Sequence, residues 1–138
     1  MALAVVIVSG CSHEETESLD GYWYLEQVVT ADGVSRPAEG QHVDVVIAGD
    51  SVSGGGDCLR FTTSILSHAG RAITLATPTV TTRSCETDAY PLLEQTLITT
   101  IEQANHVRHV LDPASEIDHW LLTITSPDAE LIFHHAYV

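Results

Sequence analysis

Two histidine pairs, His106 with His109 and His134 with His135, are the side chains best suited to chemistry in this sequence. Histidine titrates near neutrality and is the commonest metal ligand. The spacings work against a shared site. Residues three apart face opposite ways on a strand and share a face only on a helix, and adjacent strand residues diverge. No Cys or His pair has the spacing of a structural zinc site. The chain lacks the Gly-x-Ser-x-Gly of a nucleophile elbow. Gly54, Gly55 and Gly56 lack the lysine and hydroxyl of a phosphate-binding loop, and read as a turn or bulge permitting positive φ. The paired acids Glu14–Glu15 and Glu116–Asp118 sit in tether and loop contexts, where solvated carboxylates are ordinary. Trp23 and Trp120 read as core, because an indole buries so much area. The expectation is a protein with no catalytic residues, no metal and no cofactor.

The three cysteines say more. Residues 2–9, ALAVVIVS, are too short an apolar run to span a bilayer as a helix, but have the size of an export leader's apolar region. The run ends in Val8-Ser9-Gly10-Cys11, which resembles a bacterial lipobox. That resemblance implies cleavage before Cys11 and diacylglycerol on its sulfur, with residues 1–10 as signal peptide. Met1 enters the apolar stretch with no positive charge before it, so the leader is read as truncated, with its start codon upstream. The alternative is a first β-strand, which valines suit. Against it, SHEETESLD is acidic and has no period, so residues 11–18 read as a polar tether. With Cys11 lipidated, Cys58 and Cys85 remain, and an exported protein sits where disulfides persist. A Cys58–Cys85 bridge would contribute roughly 3 to 4 kcal/mol by constraining the unfolded chain; two free buried thiols are the alternative. The expected location is the cell envelope, on the extracytoplasmic side, held to the membrane through the lipid.

Charge narrows the partners. Nineteen acids face five basic residues, all arginine, for a formal charge of −14. Nucleic acid and anionic lipid both require basic neutralisation. A basic partner, or simple colloidal solubility, fits better.

The elements that must position these residues are mostly strands. GYWYLEQVVT (21–30) is aromatic and β-branched, and Asp32-Gly33 supplies a turn. In HVDVVIAG (42–49), Val43, Val45 and Ile47 share one face. In CLRFTTSIL (58–66), Leu59, Phe61 and Ile65 do the same. Gly70 marks a turn before RAITLAT, with Ile73 and Leu75 inward. The period then changes: Tyr90, Leu93, Leu97 and Ile101 form a helical stripe, with Thr87 as N-cap and Pro91 in the first turn. Threonines 96, 99 and 100 argue for a helix ending near Thr99. Strands return at 106–112, 119–125 and 130–136, the last two joined by a turn at Ser126-Pro127-Asp128-Ala129. About seven strands with one late helix predict a mainly β (α+β) fold: a small antiparallel barrel or curled sheet, plugged or covered by the helix.

Leu19, Gly21, Trp23 and Leu25 form a Leu-x-Gly-x-Trp-x-Leu opening. SGGGDC leads to Cys58 and TVTTRSC to Cys85; a helix and a final hairpin ending in AELIFHH close the chain. This order resembles the META domain, a family of small heat-shock-associated bacterial lipoproteins, over roughly residues 19–135, and residues 19–138 are taken as one such domain. The family pattern has Gly before the first cysteine and Asn after it; here Asp57 and Leu59 stand there, and DPASEID (112–118) looks like an insertion. The resemblance implies a β-rich envelope protein tied to stress or antibiotic tolerance and does not imply an enzyme; the first reading is a lipid-anchored, non-enzymatic module that contacts another envelope component. GYWY (21–24) also resembles the lipocalin signature, which implies a carrier of a small apolar ligand. A third reading is an inhibitor of a secreted hydrolase such as lysozyme, because an acidic barrel could dock onto a basic enzyme. A dry interior filled by Trp23, Phe61 and Leu93 would oppose the carrier.

Overall fold

A computed structural model of the chain describes residues 18–85, 90–111 and 120–135. Apolar residues at every second position build its first strand, β1 (Gly21–Thr30), which turns Trp23 and Leu25 inward. A bulge between Leu25 and Gln27 skips Glu26 and resets the alternation, so that Val28 rather than Gln27 is buried. The strands that follow are β2 (Gly33–Ser35), β3 (Asp44–Ala48), β4 (Ser51–Gly55), β5 (Leu59–Ala69), β6 (Ala72–Leu75) and β7 (Thr79–Thr82). After the helix α1 (Tyr90–Glu102) come β8 (His106–Leu111), β9 (Trp120–Thr125) and β10 (Ala129–His135).

Eight strands close a barrel in the order β1-β3-β4-β5-β6-β8-β9-β10, with β10 returning to β1. Every pairing is antiparallel. Closure removes the sheet edges that would otherwise invite association. Two short strands lie off the barrel. β2 pairs with β1 at Val28–Thr30, beyond the stretch that β3 covers, and β7 pairs with β5 at Leu59–Thr62. The mainly β barrel with one late helix is therefore the observed fold. The excess over about seven strands comes from β2, from β7 and from β4, which runs into the glycines.

Trp23, Phe61, Leu122, Leu131 and Phe133 fill the interior from the strands, and α1 adds Leu97, Ile98 and Ile101. The helix packs against β4, β5, β9 and β10. Leu93 only borders this core, while Glu94 is fully buried. The buried face therefore runs 94, 97, 98, 101, rotated from the stripe that begins at Tyr90 and Leu93. Pro91 falls in the first turn, as expected. Thr87 lies outside the described residues. The helix does not stop near Thr99 but continues to Glu102. Its threonines turn their hydroxyls onto carbonyls four residues back, Thr96 Oγ to Leu92 O at 3.0 Å and Thr100 Oγ to Thr96 O at 2.7 Å. This satisfies the hydroxyls at a small cost to the helix, whose carbonyls they share, and burial of Thr100 and Ile101 holds the last turn down.

Candidate functional site

The one acid buried among the described residues is Glu94, at 0% exposure in the middle of α1. A buried carboxylate is costly unless it is well bonded, and this one is. Oε1 accepts the backbone N–H groups of Cys58 and Leu59, each at 2.8 Å. Oε2 accepts the N–H of Asp57 at 3.1 Å and Nε2 of Gln41 at 2.9 Å. Gln41 is itself held, donating to Tyr90 O at 3.3 Å and accepting from Ala38 N at 2.9 Å. The carboxylate thus fastens the helical plug to the β4–β5 turn and to the segment before β3. Three consecutive amides converging on an anion form a backbone nest.

Gly56 makes this close approach possible, and the two glycines before it clear the strands beside it. A methyl on Gly56 would lie on the Glu94 carboxylate, and one on Gly54 would strike the Asp44 carbonyl. Gly55, at φ +126°, would place its methyl against the Leu59 carbonyl. Positive φ was the expected reason for all three residues. It holds at Gly55, but Gly54 and Gly55 belong to β4 rather than to a turn, and Gly54 and Gly56 are needed for close approach. The same turn carries Cys58, joined to Cys85 with a Cα–Cα distance of 5.1 Å, and Cys58 O accepts Arg83 N at 2.7 Å. The Cys58–Cys85 bridge is therefore present, and the free-thiol alternative falls. Cys11 lies outside the described residues, as do Glu14, Glu15, Glu116 and Asp118.

At one end of the barrel, Trp23 donates Nε1–H to Leu19 O at 3.0 Å. His109 and His135 meet its ring edge-on, with centroids at 5.3 and 5.1 Å, and Trp120 lies 4.8 Å from His109. Gly21 leaves room there, because a methyl would come within 3.0 Å of His135 Nε2. His134 faces outward against Tyr24 at 5.8 Å, and His106 is exposed. Both histidine pairs diverge, as strand geometry requires. Among the described residues no group of three His, Cys, Asp or Glu side chains could hold a metal ion.

Outside the barrel, Tyr22 Oη donates to Asp44 Oδ2 at 2.7 Å, and Arg60 reaches Asp44 Oδ1 at 3.1 Å. The hydrogen bond to the Asp44 carboxylate, and its negative charge, raise the Tyr22 phenol above its ordinary value.

The family model of the META domain matches residues 16–134, which span the barrel and its helix. The chain belongs to the META domain family. No curated protein and no solved structure matches it. In this META domain the residue that sequence reasoning missed is Glu94. Its signal was available: it is the only charged side chain in α1 before Glu102, and it stands one turn from Leu97 and Ile98 on the buried face. An acid at such a position demands donors, and a glycine-rich turn with free amides is where they can come from.

Proposed function

We propose that this META domain is a non-enzymatic, lipid-anchored module of the cell envelope that works by binding another envelope component. The observation that carries this reading is the match to the META domain over most of the chain. The barrel supports it: the strong anchoring of Glu94 stabilises a plug and leaves no lone pair aimed at a substrate. Val8-Ser9-Gly10-Cys11 provides the attachment point, and the polar segment to residue 18 provides reach. A stress or antibiotic-tolerance role is the form of this function that the family resemblance favours.

The filled interior weighs against the lipocalin-like carrier. Trp23, Leu97, Ile101, Leu122, Leu131 and Phe133 occupy the space where a ligand would sit. An open groove of about 840 Å³ lies beside α1, lined by Gln95, Thr96, Thr99, Gln103 and their neighbours, and is of mixed polarity. That is a poor match to a small apolar ligand.

Intact mass of the protein extracted from its host membrane tests the proposal. A diacylglycerol adduct at Cys11, with two hydrogens fewer than the reduced chain, is the expected result. A soluble, unmodified chain would remove the anchor from the proposal.

A further inference from the structure

Strand register lines up one row of side chains on the outside of the barrel. Leu121, His134, Tyr24, Asp44, Gly55 and Arg60 are successive partners across β9, β10, β1, β3, β4 and β5. Gly55 presents no side chain, so Arg60 reaches across β4 to Asp44 at 3.1 Å. The other oxygen of Asp44 holds the Tyr22 hydroxyl at 2.7 Å. Tyr22 lies 5.3 Å from Tyr24, and Tyr24 lies 5.8 Å from His134. Despite these contacts Tyr22 and Tyr24 remain 42% and 39% exposed.

The arrangement has three properties of a docking face. The rings stand on strands paired on both sides, so little freedom remains to be lost on association. Tyrosine and arginine are the side chains that most often anchor interfaces. The Asp44–Arg60 pair is neutral overall, which leaves the rings as an uncharged centre within a chain of formal charge −14. A net negative charge of this size steers a basic protein toward the molecule and repels an acidic one.

We propose that this face docks a basic protein, with Tyr22 and Tyr24 as its anchors and the chain's net negative charge as its guide. The proposal rests on the binding-module reading above and specifies its face and partner class. Titration calorimetry with the full chain tests it. Lysozyme serves as the basic probe, and α-lactalbumin, an acidic protein of the same fold, as the control. Binding is expected for lysozyme only, and weaker at about 200 mM salt than at about 50 mM. Tyr22→Ala with Tyr24→Ala should weaken it about tenfold or more with the barrel's far-ultraviolet circular dichroism retained. Glu102→Gln, an exposed acid on α1, should change it by less than about twofold. Should the double variant lose its near-UV signal, Tyr24→Gln alone reads the same contact. Absence of lysozyme binding, equal binding of α-lactalbumin, or equal losses in the tyrosine and Glu102 variants would each overturn the proposal. The lipid anchor is read by mass and is untouched by any of these results.

Discussion

At the residue scale, Glu94 and Gly56 act as one unit. Leucine at position 94 would leave the amides of residues 57–59 without their acceptor in a buried site. Each unsatisfied donor costs about 1 to 3 kcal/mol, so Glu94→Leu should destabilise by several kcal/mol in urea unfolding. Gly56→Ala should cost about 1 to 3 kcal/mol by overpacking. Because that cost arises from Glu94, the combination Gly56→Ala with Glu94→Ala should be less destabilising than the sum of its parts; additive losses would show that the glycine serves another purpose. Tyr22 gives a second readout at this scale. Its phenol should titrate above 10.0 by ultraviolet absorbance, and Asp44→Asn should bring it back toward that value. The raised value belongs to the folded state, so the associated stability is complete below the unfolded phenol's value and fades as pH rises through the folded one.

At the element scale, the helix is legible and its orientation is not. Spacing identifies α1 and places Pro91 in the first turn, but it chooses Tyr90 and Leu93 for the buried face where the barrel buries Glu94 and Ile98. Hydrophobic periodicity cannot anticipate an acid whose charge is balanced by amides 35 to 37 residues away. The disulfide holds the same turn. Cys58→Ser with Cys85→Ser should cost roughly 3 to 4 kcal/mol, mainly through the unfolded chain, measurable as a lower urea midpoint. The β9–β10 hairpin offers a local test. Ser126 Oγ accepts the N–H groups of Asp128 at 3.3 Å and Ala129 at 3.2 Å. Ser126→Ala should therefore cost about 1 kcal/mol, with the barrel's circular dichroism unchanged.

At the scale of the whole molecule, closure joins the first barrel strand to the last. β1 and β10 pair from Trp23–His135 to Thr30–Ala129, so neither end of the domain is dispensable. Truncation after Ser126 would strip the cover from Trp23, Leu25 and Val28 at once. Such a chain should show no dispersed amide spectrum by NMR, whereas a molecule with β10 as an accessory strand would keep one. The same closure explains why the two bulges matter. Skipping Glu26 in β1 and Leu66 in β5 lets the inward face stay apolar around a curved wall, at the cost of leaving Leu66 exposed.

Alternating patterns near Trp23, Val45, Phe61 and Leu122 determined by themselves that the chain would fold as strands around an apolar interior, because side-chain period is a local property. The pairing of Cys58 with Cys85 was legible too, once Cys11 was set apart by its small-residue neighbours. Only the tertiary structure decided that the barrel closes through β1 and β10. It also decided that Gly56 clears a path for one buried carboxylate, and that Tyr22, Asp44 and Arg60 meet on the outer wall. Those outcomes depend on register between strands distant in sequence, which no local period encodes.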